Sequence, residues 1–254
     1  MLSPRQQACL KGIGIDLWRE RVAAPPAGAP ALDLQPAAPE IARNTPSSSP
    51  VEAPPAKPVV PGFTESPIDT WPELEQSIQA CNYCGLAEGC SRKVPGKGDR
   101  GASLMIIGEA PGRDEDLQGK PFVGRAGQLL DRMLQAIDID PSSVYITNIL
   151  KCRPPQNRDP KPDEISACAR FLQAQIDLVK PQVIFAVGRI SAQNLLNDTS
   201  PVGRLRGHQH QLPESDIPLL VTYHPAYLLR NPAEKAKVWQ DLKALHRLLD
   251  HAND

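Results

Sequence analysis

From residue 70 onward the apolar positions follow two alternating rhythms. Compact runs rich in β-branched and aliphatic residues, LMIIG at 104–108, VYIT at 144–147, QVIFAVG at 182–188 and PLLVTYH at 218–224, read as buried strands. Between them the apolar residues return every three to four positions. Asp69 or Thr70 can cap a helix from Trp71 to about Ala80. Gly124 to Ile137 brings Leu129, Leu130, Met133, Leu134 and Ile137 to one side. Pro162 to Val179 carries proline in its first turn. Shorter and longer helices are expected at Ser191–Leu196 and Ala233–Leu249. Strands alternating with helices predict an α/β domain over 71–254, a three-layer α/β/α arrangement around a central, mostly parallel, four-stranded sheet. Such sheets gather their sites at the carboxyl ends of the strands. The residues falling there are Glu109–Ala110–Pro111–Gly112, Asn148, Gly188–Arg189 and His224–Pro225, which puts an acid, an amide, a base and tight turns at one edge.

Ahead of this domain the rhythm dissolves. Residues 23–70 hold 12 of the 28 prolines, mixed with Ala and Ser, and one aromatic, Phe63. So little apolar surface cannot offset the entropy of ordering, and the stretch reads as a disordered, partly extended linker. In front of it, Pro4 to Arg21 has helical spacing, with Ala8, Leu10, Ile13, Ile15, Leu17 and Trp18 as its apolar surface, interrupted by Gly12 and Gly14. Residues 1–22 thus form a short helical segment on a tether, a candidate partner-docking motif. The plainer alternative is a helix folded back on its own domain. This segment and NPAEKAKVWQDLKAL resemble the psi subunit of the bacterial polymerase clamp loader, which implies a replication or clamp-loader protein as partner.

Charge changes the picture little. Across 254 residues the formal net charge is −1, so any nucleic-acid contact must come from a local basic patch. No apolar run is long enough to cross a membrane, and the N-terminus lacks a signal peptide's apolar stretch, so a cytoplasmic bacterial protein, nucleoid-associated when acting, is expected. A monomer is expected separately. The 6 cysteines then point to metal ligands, an active thiol or buried apolar groups rather than disulfides. Cys81 and Cys84 form a C-x2-C pair, and Cys152 and Cys168 follow. Four thiolates suit zinc or an iron–sulfur cluster, and spacing does not separate the two. Cys90 could replace one member on spacing alone, and Cys9 lies beyond the linker. A metal at this set would staple the first helix to the proline-rich connection LKCRPPQNRDPKPDEISAC.

Three stretches in order carry a family resemblance: GEAPGRDEDLQGKPFVGRAGQLL at 108–130, YITNILKCRPPQNRDPKPDE at 145–164 and HPAYLLRNP at 224–232. Residues 78–250 resemble the family 4 uracil-DNA glycosylases, the iron–sulfur members of the uracil-DNA glycosylase superfamily. The resemblance implies a structural four-iron, four-sulfur cluster on Cys81, Cys84, Cys152 and Cys168, and uracil-containing DNA as substrate. It implies that Phe122 stacks on a flipped-out uracil, that Asn148 reads its edge, and that Glu115 excludes thymine's methyl group. His224 would hydrogen-bond uracil O2 as charge develops, and Glu109 would orient the water. Gly108 and Ala110 complete the base pocket. Superfamily members with a better-known mechanism carry aspartate where this chain has Ala110, so Glu109 is not expected to be a simple general base.

On the DNA side, Gly124 and Arg125 open a helix whose free N–H groups can meet a phosphate. The loop after His224 resembles the segment that enters the minor groove. Leu228 or Leu229 would be its wedge, with Tyr227 beside them and Arg230 on a phosphate. Arg204 and Arg206, and Lys151, Arg153 and Arg158, are further phosphate candidates. The alternative is a catalytically weak scaffold associated with the replication machinery. A ferredoxin-like carrier lacks its clustered cysteines here, and GEAPG does not make a dinucleotide fingerprint.

Overall fold

A computed structural model of the chain describes residues 68–252, together with Gln7 and Lys11. The N-terminal segment at 1–22 and nearly all of the linker at 23–70 therefore lie outside the described residues. The first helix, α1 (Trp71–Ala80), starts where expected. Thr70 accepts from the backbone of Glu73, and Glu73 reaches back to the Thr70 N–H in a full capping box. A short α2 (Leu86–Gly89) follows.

Six strands form one sheet: β1 (Lys97–Gly98), β2 (Leu104–Gly108), β3 (Tyr145–Asn148), β4 (Val183–Val187), β5 (Gln209–Gln211) and β6 (Pro218–Thr222). Their order is β1-β3-β2-β4-β6-β5. The four expected strands are the central four, all parallel. The expectation of four falls short by two edge strands, each antiparallel to its neighbour. Both lacked a hydrophobic signal. β1 is two residues long, and β5 is the polar triplet Gln209–His210–Gln211.

Side chains alternate across the sheet and build a core on each face. Leu104, Ile106, Val183, Phe185 and Leu220 meet α4 (Arg125–Gln135), α8 (Pro225–Arg230) and α9 (Lys235–Ala252). Met105, Ile107, Ile184, Ala186, Leu219 and Val221 meet α5 (Pro162–Val179), α6 (Arg189–Leu196) and α7 (Val202–Leu205). The result is the expected three-layer α/β/α stack. Each fully buried aliphatic side chain here contributes about 1.5–3 kcal/mol. α1 packs outside α5 through Leu74, Ile78 and Phe171. Among the described residues no helix is long and apolar enough to cross a membrane.

The helix boundaries moved where turns intervened. α6 begins at Arg189, directly after Gly188, rather than at Ser191. A single 3-10 turn at Pro232–Glu234 precedes α9. A further helix, α3 (Arg113–Gln118), follows the GEAPG turn. The chain runs from β2 to β3 on one side and then crosses to β4 on the other. That reversal opens a crevice at the carboxyl end of β2.

Candidate active site and thiol cavity

Gly108 and Asn148 end their strands as register partners, so the residues following β2 and β3 leave the sheet side by side. The ladder continues for two more bonds, with Ile149 N–H donating to Gly108 O and Leu150 N–H to Glu109 O, both at 3.0 Å. The crevice beyond them is a pocket of about 410 Å³, a size suited to a small ligand. Glu109, Ala110, Glu115, Phe122, Asn148, His224, Tyr227 and Arg230 all line it. Eight residues named from sequence thus converge on one concavity. Sequence reasoning missed Asn157 and Asp159, and had placed Arg158 only as a phosphate contact. All three line the pocket from the loop after β3.

Phe122 is held by its surroundings. Its φ of 51° is left-handed, unusual for a bulky residue and sustained only by strong packing. Lys97 Nζ donates to its carbonyl at 3.1 Å. A side chain at Gly127 would stand 2.0 Å from that same oxygen, so the helix can approach this closely only with glycine there. Glu115 closes the loop, one carboxylate oxygen accepting from Val123 N–H at 3.0 Å and Gly124 N–H at 3.1 Å. The Gly124 N–H is therefore occupied by Glu115 rather than open to a phosphate, while Arg125 is exposed. Glu115 lines the pocket and braces its wall at once. Asp116 is buried and accepts from Ser91 N–H at 2.9 Å, and Asp114 faces solvent.

His224 caps α8, its Nδ1 accepting from Ala226 N–H at 3.1 Å. A neutral ring accepting at Nδ1 carries its proton at Nε2. Burial pulls the imidazole down to about 4, the Arg230 charge pulls the same way, and Glu115 opposes both. The ring is therefore neutral at neutral pH and offers an N–H. It stacks on Phe122 with centroids 5.7 Å apart. Gly188, at φ +104°, leaves room for it: a Cβ there would lie 3.0 Å from the His224 Cβ. Glu109 is held above the ordinary carboxylate range by burial and by the nearby Asp159 charge, against the pull of Arg189.

Three DNA-contact expectations are corrected. Arg206 forks onto Asp241, Nη2 to Oδ1 at 2.6 Å and Nε to Oδ2 at 3.0 Å, and also donates to Lys237 O. Its side chain is only 13% exposed, and it serves to tie the segment after α7 to α9. Leu228 is 1% exposed and belongs to the core under α8, whereas Leu229 is 38% exposed. Of the two leucines named for the wedge, only Leu229 reaches solvent. Lys151 likewise is buried rather than free for phosphate.

Cys81, Cys84, Cys152 and Cys168 line one cavity behind the crevice, walled by Ile78, Leu86, Leu150 and Phe171. Cys90 lies against Cys152 but does not line it. Among the described residues the four sulfurs are not drawn together into a closed ligand set, but two features of their surroundings suit an anionic metal–thiolate group. The Lys151 backbone N–H points at Cys168 Sγ, 3.3 Å away, as N–H groups do around cluster sulfurs. Lys151 is itself one of the residues that line the cavity, and its ammonium is buried. Burial pulls it down to about 8, and Cys168 pulls the other way.

A profile of the Uracil DNA glycosylase superfamily matches residues 95–243. The chain is 37% identical over 187 residues to a type-4 uracil-DNA glycosylase of Archaeoglobus fulgidus, covering 71% of this chain and 94% of that one. It is 40% identical over 189 residues to the type-4 uracil-DNA glycosylase of Pyrobaculum aerophilum, covering 70% and 96%. A bacterial relative, the type-4 uracil-DNA glycosylase of Thermotoga maritima, is 36% identical over 165 residues, covering 65% and 85%.

Proposed function

This chain belongs to the type-4 uracil-DNA glycosylases of the uracil DNA glycosylase superfamily, and on that premise we propose that it hydrolyses the N-glycosidic bond of deoxyuridine in DNA. Uracil is released and an abasic site remains, the opening step of base excision repair. The observation that carries this is the convergence of Asn148, Phe122, His224 and Glu109 on one pocket at the strand ends.

The nucleotide must leave the base stack to reach such a pocket. Phe122 forms a wall on which the base stacks. The Asn148 amide offers an acceptor and a donor for uracil N3–H and O4. Glu115 stands on the C5 side, where thymine's methyl group would need space. As the C1′–N1 bond breaks, its electron pair passes to the uracil ring and negative charge gathers on O2. The neutral His224 donates its Nε2–H to that oxygen, a dipole already in position when the charge appears. Water, oriented by Glu109, adds to C1′; the proton it loses passes to that buried carboxylate, a stronger base than a solvated one, and on to the uracil anion. Outside the pocket, Leu229 fills the gap left in the duplex, and Arg125, Tyr227 and Arg230 meet the strand.

We assign Cys81, Cys84, Cys152 and Cys168 to a four-iron, four-sulfur cluster. Bound there it supplies structure, joining the loop after α1 to the loop after β3 and to α5, and it takes no part at the base.

The test uses anaerobically purified, iron-loaded full chain and end-labelled DNA with one uracil, beside thymine and cytosine controls. Alkali converts each abasic site into a break. Cleavage at uracil alone is expected, and Glu109→Gln should slow the single-turnover rate while DNA binding is retained. Bound DNA with no cleavage, in iron-loaded protein, would overturn the assignment.

A further inference from the structure

Lys151 is among the largest fully buried side chains in the described structure. Its ammonium donates three hydrogen bonds, to Asn148 O at 2.6 Å, Gln175 Oε1 at 2.7 Å and Thr147 Oγ1 at 2.9 Å. The second tier is neutral as well. Thr147 Oγ1 donates to Pro95 O at 2.8 Å, and Gln175 Nε2 donates to Pro95 O and to the Tyr145 hydroxyl. No carboxylate accepts from the ammonium among the described residues. A buried charge whose donors are all satisfied by neutral groups still lacks a counter-charge, and leaving it so is expensive. Lys151 lines the thiol cavity, and among the thiols there the Cys168 Sγ lies 3.3 Å from its backbone N–H.

The same residue makes a second connection. Its backbone N–H reaches Cys168 Sγ, its carbonyl accepts from Val94 N–H at 2.8 Å, and Cys152 follows it in the chain. Its side chain turns back to hold the carbonyl of Asn148, the residue whose amide faces the base pocket. One residue thus touches the cavity wall with its backbone and the end of β3 with its side chain.

We propose that Lys151 is the fixed counter-charge of the cluster and, through the Asn148 carbonyl, the positioning residue that ties the base-reading amide to the cluster's scaffold. The inference rests on the cluster reading above. A metal core wrapped in four thiolates carries net negative charge, and the charges and hydrogen bonds around it set its reduction potential. Removing a nearby positive charge disfavours the more negative, reduced form.

The experiment compares wild type, Lys151→Met and Gln175→Glu, each reconstituted anaerobically with ferrous iron and sulfide. Lys151→Met removes the charge at similar volume. Gln175→Glu keeps the ammonium and sets a carboxylate beside it. Iron and sulfide per chain, circular dichroism and the cluster's reduction potential are measured on all three. Both substitutions should lower the ratio of reduced to oxidised cluster at fixed poise by at least tenfold, equivalent to about 59 mV for a one-electron couple. In Lys151→Met, free uracil should also inhibit several-fold less well while affinity for abasic DNA is unchanged. If Lys151→Met fails to fold or load, Gln175→Glu decides the charge question alone. Loaded variants that keep the wild-type potential would overturn the counter-charge role, and unchanged uracil inhibition would overturn the positioning role. A folded wild type that takes up no iron would overturn the cluster reading, and this inference with it.

Discussion

Substituting Gly108 by alanine is the smallest change that tests how tightly the base pocket is built. An added Cβ would stand 2.4 Å from Asn148 Oδ1 and 2.9 Å from two ring carbons of Phe122. Neither neighbour can yield freely. Asn148 ends a buried strand in register with Gly108 itself. Phe122 is pinned through its carbonyl by Lys97 and by the close approach of Gly127. Overpacking of this kind costs about 1–3 kcal/mol. For a domain of this size each kcal/mol lowers the melting temperature by roughly 2–4 °C. The larger loss is functional. The easiest relief is rotation of the Asn148 amide, and a displacement on the order of 1 Å at a reacting geometry costs about 100-fold in rate. Single-turnover excision from uracil-containing DNA and a thermal melt measure both effects. Gly101→Ala is the control, because a Cβ there meets only Asp99 Oδ1, at 3.8 Å. A Gly108→Ala chain with the wild-type rate and melting temperature would refute the reasoning.

Three further outcomes follow from the geometry. His224 is neutral in the folded chain down to about pH 4, whereas its unfolded value is 6.5, so between those pH values the unfolded state binds the extra proton. Stability should therefore decline as pH falls from 6.5 to 4, and urea midpoints for His224→Gln should decline less steeply over that window. Arg206→Met should lower the melting temperature by breaking a buried pair, a loss on the order of 3–5 kcal/mol, yet leave the salt dependence of DNA binding unchanged. Arg230→Gln should do the reverse, reducing the salt slope by about 1. Leu228→Ala should destabilise the fold by roughly 2–5 kcal/mol. Leu229→Ala should melt like wild type and slow excision from duplex more than from single-stranded DNA.

The parallel centre of the sheet and its flanking helices were legible because their apolar periodicity is strong. The strand-end rule then collected Glu109, Asn148 and His224 before any family entered. What escaped lacked periodicity. β1 and β5 are held by backbone pairing to stronger neighbours and carry no apolar alternation. The loop that supplies Asn157 and Asp159 to the pocket reads locally as a polar, proline-rich connection. Adjacent residues of like type were also beyond sequence alone. Leu228 and Leu229 differ by a 100° turn of α8, which sends one to the core and one to solvent. Arg206 and Lys151 looked like surface cations because their partners, Asp241 on one side and Thr147 with Gln175 on the other, are distant in sequence or neutral.

The thiol cavity has a consequence for the order in which the protein is made. Every residue lining it lies between Ile78 and Phe171. The base pocket cannot close until residues 224–230 exist. The chain therefore carries all four sulfurs and their apolar walls just before β4 is made, and well before β6 and residues 224–230 appear. At about 5–20 residues per second, several seconds separate the two events. On the cluster assignment proposed above, iron can meet its ligands on a nascent chain that has no base pocket yet. A shortage of iron would then act on this protein during synthesis, ahead of any contact with DNA.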